Sequence, residues 1–307
     1  MFRRTPWHVL QLDRTRDMPG AAHSAFTLYR VDRGWEKYTY GQKKLGSARL
    51  SREILIKSRV MTHPNTPLLA PWEPLGRALT DSFEGDASAM VWVVMEDGER
   101  LPMPMSIFFR QPEDFSDAEA LALDLCSGRV LDVGAGAGCH ALELQRRGLA
   151  TTALDICPQA VAIMEHRGVV DAHQGTLGFD FEGRPFDTVL MLMNGLGVVG
   201  DLDGLDAFLS TVAHWLAPDG QILCDSSDLR AIDDHREQRR GNSREQHGGY
   251  RGETRQLLEY DGELGEPFGW LYADPECLAD HAHRHGFLSQ VIFQGEEGHF
   301  LARLVRR

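Results

Sequence analysis

The sequence lacks paired cysteines. Its five, Cys126, Cys139, Cys157, Cys224 and Cys277, are odd in number, scattered, and never spaced Cys-x-x-Cys. That argues against a disulfide framework and a structural zinc site, and reduced thiols fit a cytoplasmic protein. A long apolar run is missing too. The longest mostly apolar stretch, Thr188 to Val199, is twelve residues and is interrupted by Asn194 and two glycines. A bilayer span needs roughly 20, so no membrane partner is expected. Residues 1–8 (MFRRTPWH) hold no apolar run of signal-peptide length. Internal repeats and low-complexity tracts are also lacking. Basic residues are in deficit, 32 Lys and Arg against 45 Asp and Glu. The deficit is uneven: through Pro74 the count is 13 basic against 6 acidic, and beyond it 19 against 39. An acidic body repels a phosphate backbone, which speaks against nucleic acid as a partner. The basic arm reads as a solvated surface.

What is present supports a folded α/β protein. Apolar residues make up 42% of the 307 and charged residues 25%, ample for a buried core. Four prolines in twelve residues, from His63 to Pro74, mark a connector, because proline supplies no amide donor and biases its predecessor away from helix. Residues 1–74 therefore read as a small basic extension plus connector, and 75–307 as the main domain. Within the extension, Ser24–Asp32 and Trp35–Tyr40 read as strands around Arg33-Gly34, while Ala48–Val60 is strand or helix.

Past the prolines, a helix over Leu75–Ser82 precedes a strand over Ala89–Met95. Ser116 is an N-cap for the helix to Leu125. Strands at Arg129–Val133, Thr151–Ile156, Thr188–Met193 and Gln221–Asp225 then alternate with helices at Cys139–Arg147, Gln159–Arg167 and Leu205–Leu216. Short apolar runs separated by amphipathic helices predict a doubly wound, Rossmann-like parallel sheet. Glu253–Glu259 and Phe268–Tyr272 are expected to pair, a helix starts at Asp274-Pro275, and an antiparallel hairpin over Phe287–Gln294 and Phe300–Val305 closes the chain.

The chemistry centres on Val130-Leu-Asp-Val-Gly-Ala-Gly-Ala-Gly138. Gly134, Gly136 and Gly138, with Ala135 between, let the backbone turn sharply where a strand meets a helix N-terminus. A dinucleotide site would space its glycines G-x-G-x-x-G; here the spacing is G-x-G-x-G, with Asp132 two residues ahead. A carboxylate there suits an ammonium or sulfonium better than a pyrophosphate. Seventeen residues past Gly138 the next strand ends in Asp155, an acid placed to accept both hydroxyls of a ribose. Together the two features indicate an adenosine-containing ligand.

At these residues the chain resembles the class I S-adenosylmethionine-dependent methyltransferases. Leu131–Gly138 resembles their first motif and Ala153-Leu-Asp155 their ribose-binding acid. Phe186–Leu190 and Leu216-Ala-Pro-Asp-Gly-Gln-Ile-Leu223 are similar to the later strand motifs. The resemblance covers about residues 75–307 and implies a seven-stranded sheet ending in an antiparallel strand, with S-adenosylmethionine as cofactor. It implies cofactor contacts at Asp132, Gly134, Ala135, Gly136, Gly138, Asp155 and Ile156. Where the family often places an acid for the adenine amino group, this chain has Thr176, with Gln174 or a backbone group as substitutes. Asn194-Gly-Leu-Gly197 stands where nucleic-acid amino-methyltransferases carry Asn/Asp-Pro-Pro-aromatic, so that acceptor class is not supported and Asn194 is taken as a cofactor contact. Methyl transfer to an O, N or S atom of a small molecule follows; the alternatives are a nicotinamide-dependent oxidoreductase on a similar sheet or a non-catalytic binding module.

Several side chains carry two readings. Arg110, within the lid strand expected over Leu101–Pro112, is either a partner for the cofactor's carboxylate through its planar fork or a surface arginine. Asp225, Ser226 and Asp228 follow the strand edge where ligands bind in such sheets, as acceptor contacts or as a polar capping loop. His281 and His285 share a helical face but read as solvated. His140, one turn into the glycine-loop helix, reads as a helix-surface histidine or as a border of the cofactor. The run at 236–255 reads as a loop. No metal site and no general base is assigned.

Overall fold

The computed structural model describes residues 27–30, 36–39, 68–179, 181, 185–231 and 249–307. The chain forms two units, residues 1–58 and 59–307. In the first, β1 (Thr27–Arg30) pairs antiparallel with β2 (Glu36–Thr39), the two strands expected there. Ala48–Val60 and most of the run at 236–255 lie outside the described residues.

The second unit opens with α1 (Glu73–Phe83), β3 (Met90–Met95) and β4 (Arg100–Pro104). Its alternating part is α2 (Asp117–Leu125), β5 (Arg129–Val133), α3 (Cys139–Arg146), β6 (Ala150–Asp155), α4 (Pro158–Arg167), β7 (Ala172–Gln174), β8 (Phe186–Met191), α5 (Leu202–Trp215) and β9 (Leu216–Ser227). The remainder is β10 (Glu253–Tyr260), β11 (Glu263–Leu264), β12 (Phe268–Leu271), α6 (Pro275–Arg284), β13 (Phe287–Gln294) and β14 (His299–Arg306).

Seven strands form one sheet in the order β13-β14-β9-β8-β5-β6-β7. The pairs from β7 through β9 are parallel, and β14 runs antiparallel to both of its neighbours. This is the expected doubly wound sheet closed by an antiparallel hairpin. The chain leaves β5 toward β6 on one side and returns to β8 on the other, so the crevice beyond the strand ends opens between β5 and β8.

Burial on both faces explains the apolar strands. One face packs Leu131, Val189, Met191 and Ile222 against Phe208, Leu209 and Val212 of α5. The other packs Val130, Leu190 and Leu223 against Leu123 of α2 and Leu144 of α3. Each such side chain contributes about 1.5–3 kcal/mol by leaving water. Helix starts follow their caps. Ser116 accepts the Glu119 N–H while Glu119 accepts the Ser116 N–H, a reciprocal pair that satisfies two orphan donors. Asp201 accepts the Gly204 N–H and starts α5 three residues earlier than expected, and Asp274 caps α6. β9 begins at Leu216 rather than at Gln221. Phe186 faces Leu216 while Thr188 faces Gln221, so residues 217–220 bulge out of register.

A second antiparallel sheet, β11-β10-β3-β4, has β12 also on β10. The pairing of β10 with β12 was expected. Its union with β3, Leu257 opposite Val94, was not. Val91 and Leu258 pack with Ala78 and Leu79 of α1 and with Ala137, Cys157 and Ile163. This sheet reaches the crevice at two points. The 3-10 turn Met105–Phe108 after β4 brings Phe108 against Gly136, and Trp270 of β12 lies against Gly197. Among the described residues, no helix is long and apolar enough to cross a membrane.

Candidate active site

Gly136 has φ +55°, and a Cβ there would stand 2.7 Å from Phe108 Cδ1. Only glycine meets both demands, the left-handed backbone and the close approach of a ring. Its N–H donates to Asp155 Oδ2 at 2.8 Å, and Asp155 Oδ1 accepts the Cys157 N–H at 2.8 Å. The loop and the acid at the next strand tip, paired only by spacing in the sequence, are thus in direct contact. Burial pushes the Asp155 carboxyl up, against the hydrogen bonds from Cys157, Gly136 and Ile156.

Asp132 is 2% exposed. The Ala141 N–H favours its charged form, yet its Oδ2 has no hydrogen-bond partner. Burial raises its pKa to about 6; His140 opposes that shift and Asp155 adds to it. An unpartnered buried carboxylate oxygen is costly, and it is the group a bound ammonium or sulfonium would satisfy. The residues present therefore fit the expected cofactor. At the tips of β6 and β7, Ile156 is 41% exposed. Gln174 Nε2 donates weakly to the Ile156 carbonyl, at 3.4 Å, and Thr176 is exposed, its Oγ1 accepting the Gly178 N–H.

At the ends of β8 and β9 lies an open cavity of about 200 Å³. It is lined by Ile107, Arg110, Ser116, Glu119, Met193, Asn194, Asp225 and His299. Met193 and Asn194 both hold positive φ, 67° and 55°, a strained turn for two residues with side chains. Asp225 clamps it: Oδ2 accepts the Met193 N–H at 3.1 Å and Oδ1 the Gly195 N–H at 2.9 Å. Ser227 Oγ donates to Asn194 Oδ1 at 2.8 Å.

Arg110 does line this cavity, but its fork is engaged. Nη1 and Nη2 donate to Glu119 at 2.9 and 2.5 Å, and Nε donates to the Ile107 carbonyl. His140 is not a surface histidine. It is 4% exposed, its Nε2 2.8 Å from Glu119 Oε1. Burial of Glu119 works against its ionised form, but the hydrogen bonds from His140 and Arg110 outweigh it and hold the carboxyl well below the usual range. Burial likewise opposes the charged form of His140, yet Cys139, Glu119 and Asp132 push its pKa up.

The three expected acceptor contacts separate. Asp225 is at the cavity wall, Ser226 is buried with an unpartnered Oγ, and Asp228 pairs with Arg230 at 2.9 Å, away from the cavity lining. His281 and His285 are not solvated: Nδ1 of the first and Nε2 of the second both meet Asp206 Oδ1, at 2.7 and 2.9 Å, joining α6 to α5. Among the described residues no cluster suits a metal ion. Sequence reasoning missed Glu119 and His299. The first was visible as the fourth residue of Ser116-Asp-Ala-Glu119, a capping-box spacing. The second was visible as the residue where the closing hairpin returns to the site edge.

A methyltransferase-domain family model matches residues 130–220, the stretch from the glycine loop to the β9 bulge. An S-adenosylmethionine-dependent methyltransferase from Bacteroides fragilis, solved with S-adenosyl-L-homocysteine, is 37% identical. The match covers 79% of this chain and 98% of that one, with a TM-score of 0.68. Lower likenesses include CalS10, an amino pentose methyltransferase from Micromonospora echinaspora (19% identity, 68% and 99% coverage, TM-score 0.45). CcbJ from Streptomyces caelestis is another (14% identity, 62% and 89% coverage, TM-score 0.48). No curated protein matches the chain. At 37% identity over nearly the whole length of the Bacteroides fragilis enzyme, this chain belongs to the S-adenosylmethionine-dependent methyltransferases and takes S-adenosylmethionine as its cofactor.

Proposed function

We propose that this enzyme methylates a small molecule seated in the cavity at the ends of β8 and β9, with residues 75–307 as the catalytic unit. The observation that carries this is the size of the space: about 200 Å³, walled by Arg110, Glu119, Asn194, Asp225 and His299, fits a small acceptor or one functional group. The net charge of −13 agrees, since it disfavours a polyanionic acceptor.

The cofactor supplies a methyl group on a sulfonium, already an excellent leaving group, so the protein's work is alignment and exclusion of water. Gly134, Ala135, Gly136 and Gly138 bring bare backbone close to the ligand. Asp155 receives ribose hydroxyls, Ile156 packs on the adenine, and Thr176 or Gln174 meets its amino edge. The carboxylate of Asp132 balances the charge of the cationic end. Arg110, oriented by Glu119, offers its remaining N–H groups to the cofactor carboxylate, and Asn194 borders the transferring methyl.

Two measurements test this. Calorimetric titration is expected to give micromolar binding of S-adenosylmethionine and S-adenosylhomocysteine and none of NAD. Incubation with methyl-tritiated cofactor and a cell extract is expected to label the low-molecular-weight fraction. Label confined to protein or nucleic acid would refute a small acceptor.

A further inference from the structure

The cavity holds a histidine whose surroundings dictate its tautomer. His299 opens β14 opposite Ser227 of β9, and Asp225 is two residues back on β9, so the two side chains meet diagonally on one sheet face. His299 Nε2 lies 2.9 Å from Asp225 Oδ2. That carboxylate already accepts two backbone N–H groups, from Met193 and Gly195. A carboxylate that takes two backbone N–H groups serves as acceptor, so Nε2 is the donor in this contact, and in the neutral ring Nδ1 then offers its lone pair. Nδ1 has no hydrogen-bond partner among the described residues. A side chain at Gly295 would crowd it, since a Cβ there would stand 3.2 Å from Nδ1. Gly295 does not hold a positive φ, so its backbone does not demand glycine, and no side chain from that position covers the nitrogen.

We infer that His299 accepts the proton of the methyl acceptor, with Asp225 as the positioning residue that fixes its tautomer. The acceptor class is then a small molecule whose nucleophile must shed a proton, a hydroxyl or an ammonium. This rests on the reading of the cavity as the acceptor site. The bookkeeping closes. The acceptor heteroatom's electron pair bonds the methyl carbon, and the carbon–sulfur pair returns to sulfur, giving S-adenosylhomocysteine. The proton passes to Nδ1 and leaves to solvent before the next turnover. Arg110 and Glu119 are the other charged groups at the cavity wall. They neutralise each other, so His299 is the wall's free base.

The test uses the full chain saturated with S-adenosylhomocysteine and 4-nitrophenol as a chromogenic probe, at a pH one unit below the probe's own pKa. In the wild type, saturable binding should raise the phenolate absorbance several-fold. In His299→Gln the bound probe should remain neutral, and Gly295→Ala should cut the phenolate signal by crowding Nδ1. S-adenosylhomocysteine affinity in both variants, measured by calorimetry, should match the wild type. A probe bound neutral in the wild type, or ionised equally in His299→Gln, overturns the assignment, as does the absence of saturable binding. Failure of the wild type to bind S-adenosylhomocysteine is a separate result, and would instead overturn the cofactor site.

Discussion

Replacing Glu119 by alanine is the sharpest test of how the site is held. Glu119 is 4% exposed and serves three partners at once: the Ser116 N–H at the start of α2, the Arg110 fork, and His140. Removing one member of a buried ion pair costs about 3–5 kcal/mol, because the remaining charge is stranded. Here the lower end applies. Arg110 keeps partial access to water, with 21% of its side chain exposed, and His140 can shed its proton. Losing the reciprocal cap adds about 1 kcal/mol. The expected total is about 4 kcal/mol, a large share of the roughly 5–15 kcal/mol that holds a domain folded. Urea unfolding followed by circular dichroism reads this directly, and Glu119→Gln, which keeps an acceptor for Ser116, should recover the cap. The loss should also depend on pH in a stated direction. The folded pKa of Glu119 is depressed, so its contribution is present above the unfolded carboxyl value and vanishes as pH falls through the folded one. The folded pKa of His140 is raised, so its contribution is full below the unfolded imidazole value and fades as pH rises through the folded one. The difference between wild type and Glu119→Ala is therefore widest between those limits. A Glu119→Ala protein within about 1 kcal/mol of wild type near neutral pH would refute the reasoning, since a stranded pair must cost more than that.

Other expectations are simpler. Asp155→Ala should weaken S-adenosylmethionine binding about tenfold or more, the loss of charge-assisted hydrogen bonds worth on the order of 1.5–3 kcal/mol; calorimetry showing unchanged affinity in a folded variant removes the assignment. Gly136→Ala should lower stability by about 2 kcal/mol, from left-handed strain and the clash with Phe108, seen as a lower melting temperature and weaker S-adenosylhomocysteine binding. With the pKa of Asp132 raised to about 6, a cationic ligand should bind more tightly from about pH 5 to about pH 7 as the carboxyl ionises, and Asp132→Asn should flatten that profile. Deleting residues 1–60 should leave S-adenosylhomocysteine binding intact; loss of binding by a folded truncation contradicts that boundary.

The sheet was legible because its signals are local. Apolar runs of strand length, a capping Ser116 and the three alternating glycines each act within a few residues. Asp155 was legible for a different reason: in a doubly wound sheet, the end of the next strand must return beside the first loop, so spacing alone implied contact. What escaped was non-local. Nothing near Met90–Met95 announces that its partner is β10, because strand pairing is settled by burial across the whole unit. His299 and Glu119 were hidden likewise, since their roles depend on side chains that arrive from other elements. His281 looked solvated because Asp280, His283 and Arg284 beside it in sequence are polar, and His140 because its partner lies outside its own helix. Their partners in space, Glu119 and Asp206, bury or tether them.

The second sheet also has a consequence for how the enzyme assembles. Val94 meets Leu257 only after every strand from β5 to β9 has been made. Contacts so distant along the chain are slow to close and gain little until the intervening segment has collapsed. During synthesis the β3–β4 hairpin therefore waits, its apolar Val91 and Val93 lacking β10, while the parallel strands β5 to β9 are made behind it. The strand that brings Trp270 onto Gly197, β12, is made later still. A nascent chain stalled before β10 should thus hold only the core between strands β5 to β9 and their helices, and remain unable to enclose a ligand, since Trp270 and His299 are still to come.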